Sequence, residues 1–186
     1  MSTLNVGTVN ASSVVTTGDV NADSNTLFVD SSANRVGVGT SNPSATFEVV
    51  QDGGIKLKST PIMETAQIIN GAANSSSNID LMDGSVKVWT SVSSGNWAHN
   101  LRGNSSTALA TLMGTGEVTV YTMITALGAS SGFSATLSID GTAQTVYWAG
   151  AAPTARGGTA GYDVYTYTII KTATSFIVLG SVTTHS

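Results

Sequence analysis

Residues that could carry out chemistry are scarce in this chain. It has 186 residues, no cysteine and two histidines, His99 and His185. The chain therefore has almost no histidines from which a Ser/His/Asp triad or a multi-histidine metal site could be built. His99 follows Trp97 in a predicted strand, where we expect a half-exposed sheet histidine. We predict a protein that is not an enzyme, with no cofactor and no catalytic residues.

Two aspartates form the nearest pair of carboxylates. Asp80 and Asp83 are separated by Leu81 and Met82 and lie just before Gly84. Residues three apart in a strand point to opposite faces, whereas a turn could bring both carboxylates to one cation. The sequence contains no EF-hand loop, so we assign no metal, but an ion at Asp80 and Asp83 stays open.

The aromatic residues could form either a sugar-binding platform or a hydrophobic core. Aromatic rings suit carbohydrate and protein contacts alike. They make up only 6% of the chain, and a β-sandwich needs most of them inside. We therefore favour core and subunit interface for Trp89, Trp97, Trp148, Tyr147, Tyr162, Tyr165 and Tyr167.

The charge balance argues against nucleic acid as a partner. Seven Lys and Arg residues stand against eleven Asp and Glu, and the net charge is −4. Binding to a nucleic-acid phosphate backbone needs a cluster of Lys and Arg residues, and this sequence has none. Arg156-Gly157-Gly158 lacks the repetition of an RNA-binding tract. Gly37-Val38-Gly39 is interrupted by Pro43 and does not form a dinucleotide loop. Both segments are predicted turns.

No membrane contact is expected either. No stretch approaches the roughly 20 apolar residues that span a bilayer. The segment from Met1 to Gly7 has neither a basic region nor an apolar region of a secretory signal. We expect synthesis in a cytoplasm, which leaves the final location open because a virion protein can leave its host by lysis.

The composition predicts an all-β protein. Ser (25), Thr (27), Gly (20) and Asn (12) together give 84 of 186 residues, while charged residues are only 10%. Helical proteins usually carry about a quarter charged residues to solvate their helices. Threonine, valine and tyrosine favour strands, and glycine and asparagine favour turns.

The first part of the chain repeats itself. GTVNAS at 7–12 returns as GDVNAD at 18–23, and each copy offers one valine, Val9 or Val20. One valine is too little for a self-contained core. The segment is either a flexible linker or is wound against identical copies, with each valine on a symmetry axis.

Residues 25–49 read as short strands separated by turns. The residues 30–34 form a turn cluster, and apolar residues alternate on either side of it: Leu27 and Val29, Val36 and Val38, Phe47 and Val49. The run L-F-V-D-S-S-A-N-R-V-G-V-G-T-S-N-P-S-A-T-F-E-V resembles the repeat of bacteriophage tail-fibre and related virion proteins, which builds thin homotrimeric stems. The resemblance implies a virion appendage in which Val9, Val20, Val36, Val38 and Phe47 pack between chains.

The most specific local signal after residue 58 is a hairpin. Asp140-Gly141 favours a two-residue type I′ turn. With that turn, Ile139 pairs with Thr142. One apolar face then carries the pairs Leu137 with Gln144, Ala135 with Val146 and Phe133 with Trp148.

Further strands are predicted along the rest of the chain, with a short helix within 104–114 that is capped by serine in front and glycine behind. The strands are expected at 67–70, 79–82, 85–91, 96–102, 117–125, 162–172 and 176–183. The part from Leu101 to Val182 looks like a module of structural proteins of marine and cyanobacterial phages. This second resemblance points to a cyanophage and implies no mechanism.

Together these observations predict an all-β chain with a thin, intertwined trimeric stem at 1–58 and a β-sandwich or jelly-roll-like head at 59–186. The expected function is that of a non-enzymatic phage structural protein in the virion, made in the bacterial cytoplasm. We favour a capsid decoration or cement protein, since 186 residues leave no room for a fibre anchor and long shaft. A short tail fibre that binds a host receptor and a carbohydrate-binding module are the alternatives. The expected partners are further copies of the chain, the major capsid protein or tail proteins, and a host surface glycan.

Overall fold

The computed structural model describes residues 17–22, 26–50, 63–75 and 77–186. The chain divides into two compact units, 1–61 and 62–186. The sequence predicted a boundary between residues 58 and 59, a position that lies outside the described residues, as does Val9. The described residues form strands, one four-residue helix and two short 3-10 turns, which confirms the all-β class.

The first unit contains one four-stranded sheet. Its strands, in chain order and in spatial order, are β1 (Val20–Ala22), β2 (Leu27–Asp30), β3 (Arg35–Val38) and β4 (Phe47–Val49). The first three strands are antiparallel, and β4 runs parallel to β3.

The turn between β2 and β3 is fixed by one carboxylate. Asp30 Oδ1 accepts hydrogen bonds from the backbone N–H groups of Ser32 and Ala33, each at 2.9 Å, and from the Ser32 hydroxyl at 2.6 Å. These bonds lower the pKa of Asp30, the hydroxyl of Ser32 having the largest effect. Asn34 then takes a left-handed conformation, with φ of 54°. The predicted turn cluster is thus confirmed, because an Asx turn and a left-handed asparagine reverse the chain.

Two side-chain hydrogen bonds, from Arg35 and from Ser44, stabilise the loop between β3 and β4. Arg35 donates from Nη1 to the carbonyl oxygen of Pro43 at 2.8 Å. The Ser44 hydroxyl donates to Glu48 Oε2 at 2.8 Å. At Gly37 a Cβ would overlap the carbonyl oxygen of Thr40, so only glycine permits this close approach.

The second unit contains two sheets that share one core. The six-stranded sheet comprises β5 (Gln67–Ala72), β7 (Val86–Ser91), β9 (Val118–Ala126), β12 (Val146–Trp148), β13 (Tyr162–Lys171) and β14 (Phe176–His185), in the order β12-β14-β13-β9-β7-β5. The four-stranded sheet comprises β6 (Asn78–Asp80), β8 (His99–Arg102), β10 (Leu137–Ile139) and β11 (Thr142–Gln144), in the order β11-β10-β8-β6.

The chain alternates between these sheets from β5 to β10. As a result β5, β7 and β9 are parallel neighbours in one sheet, and β6, β8 and β10 are parallel neighbours in the other. Antiparallel pairing begins with the hairpin of β10 and β11 and continues between β9, β13 and β14. These strand directions differ from a jelly roll, whose sheets are antiparallel.

One half of the predicted hairpin is confirmed. Leu137 pairs with Gln144 and Ile139 with Thr142, and both turn residues have positive φ, 50° at Asp140 and 79° at Gly141. Leu137 is buried in the core, as expected.

The other half of the hairpin prediction is wrong. Val146 and Trp148 leave the hairpin and pair in parallel with Val178 and Gly180 of β14 in the other sheet, so they do not face Ala135 and Phe133. Gly180 allows this change of sheet, because a Cβ there would lie only 3.0 Å from the Trp148 ring. All four predicted partners are half-buried, and Val146 and Trp148 pack against the core.

The predicted helix exists but is shorter than expected and has a different cap. Helix α1 covers Leu109–Leu112, and its N-cap Ala108 makes no side-chain cap bond. The Asp140 carboxylate accepts from the backbone N–H groups of Leu109 at 2.8 Å and Ala110 at 2.9 Å. The serine caps expected from the sequence are therefore wrong, because the hairpin turn supplies the acceptor.

Candidate functional site

One face of the first unit's sheet is entirely apolar. The pairing register places Val20, Val29, Val36 and Phe47 in one row across the four strands. Paired residues of neighbouring strands share a face of the sheet. The same register and the alternation along each strand place Ala22, Leu27, Val38 and Val49 in the adjacent row. We call these eight residues the apolar face of the first unit.

The apolar face is poorly covered within the single chain. Phe47 is 61% exposed, Leu27 42% and Val20 36%. The opposite face carries polar and charged residues, among them Asn21, Glu48 and the paired Asp30 and Arg35. Val20, Val36, Val38 and Phe47, predicted as stem packing residues, thus lie together on one surface.

The second unit has an uncharged face of its own. Along β9 and β13 the buried residues alternate with outward-facing ones, so the six-stranded sheet has an inner face toward the core and an outer face. Among the described residues the outer face carries no Asp, Glu, Lys or Arg between Ile68 at one edge and Tyr147 at the other. Its residues include Ile68, Val86, Val88, Val118, Val120, Thr122, Ile124, Ala126, Tyr147, Tyr162, Val164, Thr166, Thr168, Ile170, Ile177, Leu179, Ser181, Thr183 and His185.

Several side chains of this outer face are open to solvent in the single chain. Ile68 is 64% exposed, Tyr147 61%, Val118 56% and Leu179 44%. Protein interfaces are depleted of charge at their centre, whereas a sheet face that stays in water usually carries polar and charged side chains. The outer face is thus suited to contact another protein surface.

His99 lies in the core, and the prediction of a half-exposed histidine is wrong. Only 2% of its surface is accessible. Its Nε2 lies 3.0 Å from the carbonyl oxygen of Ala73, and its Nδ1 lies 3.2 Å from the hydroxyl of Tyr121. Its ring stacks on Trp89 with centroids 5.0 Å apart. Burial lowers the pKa of His99 to about 4, against the opposing effect of the bond to Ala73.

The sequence contained a signal for this burial. Trp97, His99 and Leu101 are two residues apart, so they share one face of a strand. Two of the three are large apolar residues, and the third must face the same core.

Most of the aromatic residues are buried rather than arranged as a platform. Trp89, Tyr121, Tyr165 and Tyr167 are at most 1% exposed, and Trp97 is 8% exposed. Burial raises the pKa of Tyr165 to about 12 and that of Tyr121 well above its usual value. The core interpretation is therefore confirmed for Trp89, Trp97, Tyr165 and Tyr167, whereas Tyr147 and Tyr162 are exposed.

Asp80 forms an ion pair within the chain, and Asp83 acts electrostatically on the neighbouring Lys87. Arg102 Nε donates to Asp80 Oδ1 at 2.5 Å in an ion pair. Lys87 is 1% exposed and donates to Gln67 Oε1 at 2.6 Å and to the Asp80 carbonyl oxygen at 2.9 Å. Burial lowers the pKa of Lys87, while Asp83 and Asp80 oppose that effect. Asp80, Lys87, Gln67 and Arg102 thus form one hydrogen-bonded network.

A surface cleft of about 510 Å³ lies at the loop after β12. Its lining includes Arg156, Phe133 and Asn96, together with the hydroxyl-bearing residues Ser131, Thr154 and Thr159. Sequence reasoning identified Arg156-Gly157-Gly158 only as a turn, because the residues on the other wall are distant in sequence.

The described residues contain no group of three or more His, Asp or Glu that could hold a metal ion. None of the helices within the same ranges is long and apolar enough to cross a membrane. Comparisons with protein-family models, with curated proteins and with solved structures give no match to this chain.

Proposed function

We propose that this chain is a non-enzymatic structural protein of a bacteriophage virion that acts as a homotrimeric surface appendage. The observation that carries the proposal is the apolar face of the first unit. Six of its eight residues, all but Val20 and Ala22, belong to the segment that resembles the trimeric stem repeat. Eight apolar side chains on one sheet face need a cover, and identical copies around an axis supply the same surface to each other.

The trimer places chemically equal residues against each other. In a thin stem, Val20, Val36 and Phe47 of one chain meet the same row of its neighbours, and Val38 lies in the next row. The contact needs no charge complementarity, because this face has no charged residue. The outer face of the six-stranded sheet offers the head a second uncharged surface for a neighbouring chain or another virion protein.

The role we favour is capsid decoration, with the major capsid protein as partner. The polar residues of the chain are mostly Ser, Thr and Asn, and charged residues make up 10%. Contacts through such a surface are individually weak, but many copies on one shell add up through avidity. The protein would be made in the host cytoplasm and would then be incorporated into the virion.

A short tail fibre is the second candidate. The cleft at Arg156 favours it, because a fibre must recognise a chemical feature of the host surface. The strand-rich head would then present the cleft, and the stem would hold three copies together.

Deletion of the gene from the phage distinguishes the two roles. A decoration protein predicts particles that assemble and adsorb normally but lose infectivity sooner under heat or low salt. A fibre predicts stable heads and lost adsorption. Heat survival and adsorption rate are measured on the same deletion particles. Deletion particles with normal heat survival and normal adsorption would contradict both roles.

A further inference from the structure

Arg156 differs from the other cationic side chains that the structure describes in the second unit. Lys87 is buried in its network, and Arg102 pairs with Asp80. Lys171 donates to the carbonyl oxygen of Thr172 at 2.9 Å and lies 5.1 Å from the centre of the Phe176 ring. Arg156 is half-buried in the cleft, and within the described residues it has no hydrogen-bond or ion-pair partner.

The loop that carries Arg156 is held in place by a buried carboxylate. Asp163 is 1% exposed, and its Oδ2 accepts a hydrogen bond from the Gly157 backbone N–H at 3.0 Å. Its Oδ1 accepts from the Thr184 hydroxyl at 2.7 Å. At Gly157 a Cβ would overlap both Asp163 and Thr184. Asp163 is therefore a positioning residue, and a loop fixed before binding loses little entropy when a ligand arrives.

The other wall of the cleft supplies an aromatic residue and an amide. The Phe133 backbone N–H donates to Asn96 Oδ1 at 3.1 Å. With its oxygen used in this way, the Asn96 amide keeps its N–H donors for a ligand. Thr154 and Thr159 are exposed and bring hydroxyl groups that can both donate and accept.

We propose that this cleft binds a saccharide that carries a carboxylate, such as a uronic acid. The planar guanidinium of Arg156 matches a carboxylate with two parallel hydrogen bonds. Phe133 offers an apolar surface to the C–H face of the sugar ring, while Asn96, Thr154 and Thr159 pair with its hydroxyls. A volume of about 510 Å³ is within the usual range of small-molecule sites. The site lies within the second unit, so the proposal does not rest on the trimer or on decoration.

Calorimetric titration of the full chain with trigalacturonic acid tests the proposal. The matched ligand is the methyl ester of the same trisaccharide, which removes the charge and keeps the sugar. We expect binding of the acid, and at least roughly tenfold weaker binding of the ester, because hydrogen bonds to a charged acceptor are about twice as strong as those to a neutral one. Acetate and inorganic phosphate serve as anions without a sugar, and we expect each to bind more weakly than the acid.

The matched variants are Arg156→Gln and Lys171→Gln, which change the net charge equally. We expect Arg156→Gln to weaken binding of the acid at least roughly tenfold and Lys171→Gln to leave it within about twofold. Hydrogen exchange on the unmodified chain should show protection of 154–159 when the acid is added. The proposal is overturned if the acid does not bind, if the ester or the simple anions bind equally well, or if Arg156→Gln binds like the unmodified chain.

Discussion

The imidazole ring of His99 is buried away from water and has two hydrogen-bond partners in fixed positions. The carbonyl oxygen of Ala73 can only accept, so Nε2 carries the proton. Nδ1 then accepts from the Tyr121 hydroxyl. The ring is neutral in this arrangement, and a positive charge would have to be buried beside Trp89.

This burial predicts that the second unit loses stability as the pH falls. The pKa of His99 is about 4 in the folded chain and 6.5 in its unperturbed state. Between these values the unfolded state binds more protons, so the free energy of unfolding decreases as the pH drops from 6.5 to 4. The difference between the two pKa values corresponds to a decrease of about 3 kcal/mol in the free energy of unfolding. Denaturant unfolding at a series of pH values across this window measures the effect.

His99→Gln provides the control for that titration. Glutamine keeps a donor and an acceptor but does not titrate, whereas all carboxylates remain. We expect a less stable variant at pH 7.5 whose free energy of unfolding changes less between pH 6.5 and 4. Equal pH dependence of the two proteins would show that His99 does not govern this loss.

At the scale of elements, the turn at Asp140-Gly141 links the hairpin of β10 and β11 to helix α1, which lies about thirty residues earlier in the sequence. Asp140 closes the hairpin of β10 and β11 and also caps α1 through the N–H groups of Leu109 and Ala110. The turn further binds β8, because the Gly141 backbone N–H donates to Asn100 Oδ1 at 2.7 Å.

Replacing Asp140 therefore tests a cap and a turn together. Asp140→Ala removes both acceptors and places alanine at a φ of 50°. We expect a loss of about 2–3 kcal/mol from the free energy of unfolding, the sum of a lost cap and left-handed strain. Asp140→Asn keeps an acceptor and tolerates that φ, so its loss should be below about 1 kcal/mol. Denaturant midpoints compare the three proteins, and equal losses for both variants would contradict this account of the turn.

The sequence predicted elements better than their partners. The alternation of apolar residues located most strand regions of the second unit, but residues 81–82, 96–98 and 133–136 were predicted as strand and lie outside the strands. Asp140-Gly141 correctly predicted the pairing of Leu137 with Gln144. The alternation of apolar residues within one strand does not determine which strand pairs with it or whether the two run parallel or antiparallel. The transfer of Val146 and Trp148 to β14 depends on the space at Gly180, more than thirty residues away, and was therefore not predictable from the local pattern.

The candidate faces were predictable to different degrees. The repeat at 25–49 indicated which apolar residues share the first unit's face, since its turns fix the register. The outer face of the six-stranded sheet combines five separate segments with β12, so it becomes visible only when β5, β7, β9, β13 and β14 are assembled. The cleft at Arg156 likewise needs the loop after β12 to meet residues 96 and 131–133.

At the scale of the whole molecule, the proposed structural role rests on the two uncharged faces. Neither face carries an Asp, Glu, Lys or Arg side chain among the described residues. Burial of such a face against a copy of itself avoids the cost of desolvating a charge, and its hydroxyl groups must find hydrogen-bond partners in the contact. The account therefore requires that the chain is not a stable monomer.

The central claim is tested by measuring the mass of the purified full chain in solution by sedimentation equilibrium. We predict a mass of three times the 18.9 kDa chain. Val20→Asp should dissociate the first unit's contact, because it places a carboxylate on the apolar face. Asn21→Asp adds the same charge on the opposite face and should remain trimeric. A folded wild-type species at 18.9 kDa, or a Val20→Asp variant as trimeric as Asn21→Asp, would contradict the account.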